Sequence, residues 1–303
     1  MIQHRHWRRI MCGLVCIMAI GLLLNGCQTW DTEYTAKSGS VDSWHDDFAG
    51  RIFEAWVAGE TMPQLTVAHP EATLADGYRV QEAFVAHWQD ELGIGAYKAA
   101  VVGAAGQENL GVDAPITGVI PATGVYSADD NIVVDRAAYP GQAVETEIGY
   151  SLHTSITEPL PDVATLKQHV DAIFPCIELP GGDTEEEHPA TAADLAAFNG
   201  NARAIITGAK HDPDQIDPDA IAIRLVHNDK VISKAKGGQA AGGQWETLLE
   251  TVNNLTARGY DIGTDHVITN GALGHILPLE VGTYQAGYYE LGVVEFQVVD
   301  NGK

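Results

Sequence analysis

The segment Ala143-Val144-Glu145-Thr146-Glu147-Ile148-Gly149-Tyr150 constrains the fold more than any other stretch of this chain. Its alternation reads as a β-strand. Successive strand side chains point to opposite faces, so Glu145 and Glu147 share one face. Two carboxylates on a common face repel each other unless something cationic lies between them. A third acid, Glu178, closes the apolar stretch Ala172-Ile173-Phe174-Pro175-Cys176-Ile177 and is placed to bring another oxygen to the same point. Three carboxylates with room for water and a further ligand suit a hard divalent cation, Mg²⁺ or Mn²⁺. Taken singly, each of these acids fits an exposed strand face equally well.

The chain opens with the pattern of a targeting segment. Arg5, Arg8 and Arg9 form a basic head, and Met11 to Leu24 is an apolar run. That run is short for a membrane span and right for a signal-peptide core. It ends in Leu24-Asn25-Gly26-Cys27, which resembles the lipobox of bacterial lipoproteins. The expected organisation is a signal peptide over 1–26, lipidation at Cys27, a polar tether over 27–45 and one domain over 46–303. An uncleaved N-terminal anchor is the alternative, and it leaves the domain in the same compartment. Gln28 after the cysteine fits an outer-membrane lipoprotein, so the expectation is an exported protein on the periplasmic face.

Cysteine usage agrees with export. Of four cysteines, Cys12 and Cys16 leave with the signal and Cys27 carries lipid. Only Cys176 remains, so the mature domain forms no internal disulfide. Cys176 sits in an apolar run and reads as inert core. The net charge is −24, and loss of three arginines with the signal leaves 14 basic against 41 acidic residues. Such a surface argues against nucleic acid as a partner and against electrostatic docking on anionic lipid.

Along the domain, Phe48, Ile52, Phe53, Trp56 and Val57 recur at helical spacing between Asp46 and Glu60. Thr73-Leu74-Ala75-Asp76 starts a second helix, which Tyr78, Gln81, Phe84, Val85, Trp88 and Leu92 continue to Gly93. From Gly95 onward the chain becomes short β-rich segments separated by Gly, Pro and Asp. Strands are expected around 131–134, 221–226 and 292–298, and one further helix over Gln244 to Arg258. There is no repeat. The fold class expected is α+β with a helical N-terminal part.

Several segments then occur in a suggestive order. Thr73-Leu74-Ala75-Asp76-Gly77-Tyr78-Arg79-Val80-Gln81 precedes Gly95-Ala96-Tyr97-Lys98. Leu110-Gly111-Val112-Asp113-Ala114-Pro115-Ile116-Thr117-Gly118 and Glu145-Thr146-Glu147 follow. Glu178 comes 31 residues after Glu147, and Thr269-Asn270-Gly271-Ala272-Leu273-Gly274 lies near the end. In this order the chain resembles the 2-keto-4-pentenoate hydratase and 4-oxalocrotonate decarboxylase group of the fumarylacetoacetate hydrolase superfamily, over about residues 46 to 298.

That resemblance implies a β-rich fold around Mg²⁺ or Mn²⁺ held by Glu145, Glu147 and Glu178. It implies a metal that takes a small 2-oxo acid through its keto oxygen and carboxylate and makes the enol form accessible. Lys98 matches a lysine that orients the carboxylate or relays protons, and a lowered pKa is expected for it beside a cation. Gly271, Ala272 and Leu273 are expected in a turn whose backbone approaches the substrate, and Asn199 is expected to help orient water. A homo-oligomer is implied as well.

The departures lie in the proton-transfer half. Lys98 is flanked by Tyr97 and by Ala99-Ala100-Val101-Val102, where relatives have a hydroxyl and a glycine. Their Asp-Asn pair falls at Phe198-Asn199-Gly200-Asn201, so a phenylalanine occupies the acid's place. The nominal activity is that of a divalent-metal-dependent hydro-lyase on a 2-oxo or 2-hydroxydienoic acid. Two alternatives stay open: an acylpyruvate-type carbon–carbon hydrolase, and a non-catalytic lipoprotein that binds metal and carboxylate.

Other motifs carry less. Asp183 to His188 reads as a solvated acidic loop. Gly237 to Gly243 lacks the Gly-Lys-Ser/Thr ending of a phosphate loop and reads as a turn near the pocket mouth. His275 is open to a lining or a structural role. No His-Glu-x-x-His or Gly-x-Ser-x-Gly occurs.

Overall fold

A computed structural model describes residues 44–138, 142–182, 184 and 188–302. The proposed signal peptide, Cys27 and nearly all of the tether lie outside the described residues, as do Asp183 and residues 185–187 of the acidic loop. The helices are α1 (Trp44–Ala58), α2 (Leu65–Ala68), α3 (Leu74–Ala86), α4 (Gln89–Leu92), α5 (Ala104–Leu110), α6 (Val163–Lys167), α7 (Ala192–Ala197) and α8 (Gln244–Ala257). The strands are β1 (Ile94–Ala100), β2 (Ile116–Pro121), β3 (Val125–Ser127), β4 (Val133–Asp135), β5 (Ala143–Leu152), β6 (Val170–Leu179), β7 (Ala204–Thr207), β8 (Ala222–His227), β9 (Lys230–Lys236), β10 (Val267–Thr269), β11 (Leu273–Pro278), β12 (Gly282–Tyr288) and β13 (Gly292–Val299).

The two long N-terminal helices form where their patterns predict, with a correction to the end of the second, and the four-residue α2 between them was not expected. Thr73 caps α3 through a reciprocal box, its hydroxyl accepting from the Asp76 backbone N–H while the Asp76 side chain accepts from the Thr73 backbone. The helix does not run to Gly93. It stops at Ala86, where His87 and Trp88 donate to carbonyls three residues back, and a short α4 follows. The break seats Trp88 in the core beside Trp56 and edge-on to Phe84. Burial of these rings, at roughly 1.5–3 kcal/mol per large apolar side chain, fixes α1 on α3.

The β-rich remainder also contains α5, α6 and α7, which sequence periodicity does not reveal. Each has seven residues or fewer, under two turns, so no apolar stripe can repeat.

Two sheets make the body. The larger runs β2-β1-β10-β5-β6-β7-β3, and the smaller β4-β13-β12-β8-β9. The acidic strand β5 is therefore central. β10 and β11 share its free edge, β10 pairing with Gly149–Ser151 and β11 with Ala143–Thr146. The connecting turn, residues 270–272, consequently lies alongside Glu147 and Ile148, and Asn270 donates to the Ile148 carbonyl at 3.2 Å.

Candidate metal centre

Glu145, Glu147 and Glu178 meet because of the β5–β6 register. Glu145 lies directly opposite Glu178, and Glu147 opposite Cys176. Directly opposed residues of a strand pair point to one face, so all three carboxylates leave the sheet on the same side. Each contributes an oxygen to a group whose atoms lie within 4.8 Å of one another. All three are buried, Glu145 least so at 6% exposure.

Lys98 reaches the same point from β1. Its Nζ lies 2.7 Å from Glu178 Oε2 and donates to the Gly200 carbonyl at 3.0 Å. The Glu178 contact is a close ion pair, and Glu147 Oε1 and Glu178 Oε1 have no hydrogen-bond donor. Buried carboxylate oxygens without donors are costly. With all three carboxylates ionised, the one ammonium would leave two negative charges uncompensated in a buried site. A single divalent cation supplies that deficit and ligates the orphaned oxygens, so the residues present fit a Mg²⁺- or Mn²⁺-type ion.

The electrostatics carry the same message. Burial, opposed by Lys98 and reinforced by Glu147, lifts the Glu145 carboxyl to about 7. Burial lifts Glu178 well above the usual range, again against Lys98 and with the help of Glu147 and Glu145. The lowering expected of Lys98 belongs to the cation-bound site; in the metal-free protein the balance is different. Burial pulls its pKa down, but Glu178, then Glu145 and Glu147, outweigh it and hold the ammonium above its ordinary value. Cys176 is buried on the same face. Burial and the neighbouring Glu147 and Glu178 push its thiol up, so it is inert core, as expected.

Residues outside the carboxylate set hold it in place. The Gly271 N–H donates to Glu147 Oε2 at 2.9 Å. The Tyr288 hydroxyl, arriving from the smaller sheet, accepts from the Glu147 N–H at 3.2 Å and donates to the Cys176 carbonyl. Gly271 (φ 84) has no room for a side chain, since a Cβ would sit 2.4 Å from Val102 Cγ1. Thus the 271–273 turn, whose backbone is expected near substrate, supports the Glu147 carboxylate through the Gly271 N–H. Ala272 is half-buried, and the Leu273 carbonyl is taken by the Thr146 hydroxyl at 2.7 Å.

Asn199, expected to help orient water, turns its amide to the neighbouring strand β2, accepting from the Val119 N–H at 2.8 Å and donating to the Val119 carbonyl at 2.7 Å. Asn199, Gly200 and Asn201 have φ of 57°, 57° and 55°, a left-handed turn that Asn and Gly tolerate best. That turn delivers the Gly200 carbonyl to Lys98. Gly118 makes room for it, because a Cβ there would meet the Asn199 carbonyl oxygen at 2.4 Å. The Asn-Gly-Asn run was the available signal for this turn. Tyr288 gave none, lying 141 positions from Glu147.

The remaining candidates fall elsewhere. Phe198 is buried beyond the end of α7 and offers no proton. His275 is exposed, its backbone N–H on Ser233 Oγ. In the 237–243 turn, Gln244 Nε2 binds the Gly237 carbonyl, and the Ala241 N–H binds the carbonyl of Val102, the neighbour of Gly271. His188 contacts Gln64 and Thr66, away from the carboxylates.

No family model matches the chain. It is 25% identical over 240 residues to the 2-hydroxyhexa-2,4-dienoate hydratase of Comamonas testosteroni, covering 77% of this chain and 88% of that protein. Among solved structures, the 4-oxalocrotonate decarboxylase from Pseudomonas putida G7, complexed with magnesium and adipate, superposes with a TM-score of 0.78 at 21% identity, over 86% of this chain and all of that one. Fumarylpyruvate hydrolase from Pseudomonas aeruginosa, in complex with Mn²⁺ and pyruvate, gives 0.53 at 16% identity, over 68% and 89%. The fold is α+β and fumarylacetoacetate-hydrolase-like, with a helical N-terminal part.

Proposed function

We propose that this chain is a divalent-metal-dependent hydratase-type enzyme for a small 2-oxo or 2-hydroxydienoic acid, with Mg²⁺ or Mn²⁺ held by Glu145, Glu147 and Glu178. The observation that carries the reading is the buried group of three carboxylates, two of them with donorless oxygens, balanced by one ammonium. The relatives' activities and the metal ions in the neighbouring structures support it. A bound divalent cation would supply Lewis acidity to a 2-oxo group.

The protein's own residues supply the rest. Lys98 is charged, buried and anchored by the Gly200 carbonyl, so its remaining N–H groups are held at a fixed position. It can bind a substrate carboxylate or give up a proton there. Burial of the site excludes bulk water and strengthens both contacts. The Gly271 N–H and Tyr288 hydroxyl fix Glu147, so the carboxylates need not reorganise when a ligand binds.

One observation favours a second reading, a non-catalytic protein that binds metal and carboxylate. Phe198 leaves no acid in the segment where relatives carry one, and the Asn199 amide beside it is bonded to the Val119 backbone. Turnover decides between them. With Mn²⁺, the first reading predicts consumption of 2-hydroxyhexa-2,4-dienoate, abolished in Lys98→Met with Mn²⁺ binding retained. Metal binding without any dienoate turnover makes the second reading correct.

Export and tethering at Cys27 belong to the same proposal, supported by the arginine head, the apolar run and the Leu24-Asn25-Gly26-Cys27 motif. A Cys27→Ser chain that still carries lipid would remove that part.

A further inference from the structure

The smaller sheet carries an unneutralised pair of cations on its outward face. Arg224 on β8 lies directly opposite Lys234 on β9 and, on its other side, opposite Gly287 on β12. Gly287 in turn faces Val293 on β13. This row shares one face, and like charges in direct register destabilise a sheet. Lys236, two residues from Lys234 and opposite Ala222, extends the positive patch. Four of the chain's 17 lysines and arginines fall within residues 224–236, in a protein of net charge −24.

None of the expected counter-charges is used. Among the described residues, neither Arg224 nor Lys234 has a carboxylate within ion-pair distance. Glu295, on the same face one row along, is engaged by the Gln285 amide. The cations flank a groove of about 590 Å³ whose other walls include Tyr289 and Val293. Tyr289 is 82% exposed and Val293 51%, unusual for such side chains. Gly287 forms an open floor, and a Cβ there would come within 3.4 Å of Arg224 Nε.

We propose that this groove binds a small aromatic carboxylate. The carboxylate bridges the Arg224 guanidinium and the Lys234 ammonium, the two donors that lack an anion. The ring lies over Gly287 between Tyr289 and Val293, covering apolar surface that is otherwise wet. The site lies apart from the three glutamates, on the outward side of the sheet whose Tyr288 reaches them.

The test uses benzoate, titrated into the full chain in the presence of EDTA and followed by ligand-observed NMR. Saturable binding is expected, and it should persist in Glu147→Gln, which alters the metal centre alone. The double variant Arg224→Gln/Lys234→Gln should weaken it by at least about tenfold, the loss of one charge-assisted hydrogen bond. Gly287→Leu, which keeps both charges and fills the floor, should weaken it comparably, and circular dichroism checks that each variant folds. Absence of saturable binding, or binding unchanged in the double variant, overturns the proposal. Inorganic phosphate binding as tightly as benzoate overturns the aromatic class. Dissociation of an oligomer in the double variant, without benzoate binding in the parent, reassigns the groove to a protein interface.

Discussion

Removing the charge at Lys98 should destabilise the metal-free protein strongly and the metal-loaded protein little. Lys98→Met conserves most of the side-chain volume, so the lost interaction is electrostatic. In the native chain the ammonium lies 2.7 Å from Glu178, with side-chain exposures of 3% and 0%. It is the cation that offsets the coulombic cost of Glu178, Glu145 and Glu147. Breaking a buried pair and leaving its partner uncompensated costs about 3–5 kcal/mol. Carboxylate protonation near pH 7, toward which Glu145 is already displaced, limits the loss to the lower end of that range. For a domain of this size a loss of about 3 kcal/mol corresponds to roughly 6–12 °C in Tm. Urea denaturation in EDTA and in saturating Mn²⁺ measures it. With Mn²⁺, the divalent charge replaces the ammonium as partner of the same oxygens, and most of the deficit should disappear. An equal deficit in EDTA and in Mn²⁺ would refute the reasoning, since it would place the loss in packing.

Two further predictions follow from the same geometry. Mn²⁺ binding should release protons and strengthen with pH. Glu145 titrates at about 7 in the metal-free protein, so its ionised fraction rises about tenfold between pH 6 and pH 8, and apparent affinity should rise by at least that factor; pH-independent affinity would sink the assignment. The linked stability effect has a definite sign. With a folded pKa above the unfolded value of 4.5, Glu145 stabilises the metal-free fold most below about pH 4.5 and loses that contribution as pH rises through 7. Gly118→Ala should cost about 1–3 kcal/mol in urea denaturation, because the new methyl meets the Asn199 carbonyl, and it should reduce dienoate turnover by moving the Gly200 carbonyl off Lys98. Unchanged stability and turnover would show that the left-handed turn does not position the lysine.

The carboxylates were legible because period-two alternation is local. Glu145 and Glu147 follow from one strand, and Glu178 follows once its strand pairs with the first. Lys98 came through the resemblance, and the structure brings it to the same point. What supports the site was not legible, for a physical reason. The Gly200 carbonyl and Tyr288 hydroxyl reach their partners across 102 and 141 positions, and no local pattern encodes such distances. Asn199, like Lys98, came through the resemblance, and its bonds to the Val119 backbone were not legible in the sequence. Of the helical part, the two long helices were read correctly up to His87, where packing of Trp88 overrides a pattern that continues unbroken in the sequence. The four-residue α2 was too short to show a period.

The most direct measurement is calorimetric titration of Mn²⁺ into the domain lacking residues 1–27, with and without oxalate, a planar chelate resembling a bound 2-oxo acid. The account predicts Mn²⁺ binding that tightens with oxalate and is lost or greatly weakened in Glu147→Gln, a variant that should stay folded. Absence of Mn²⁺ binding, or wild-type affinity in Glu147→Gln, would contradict it.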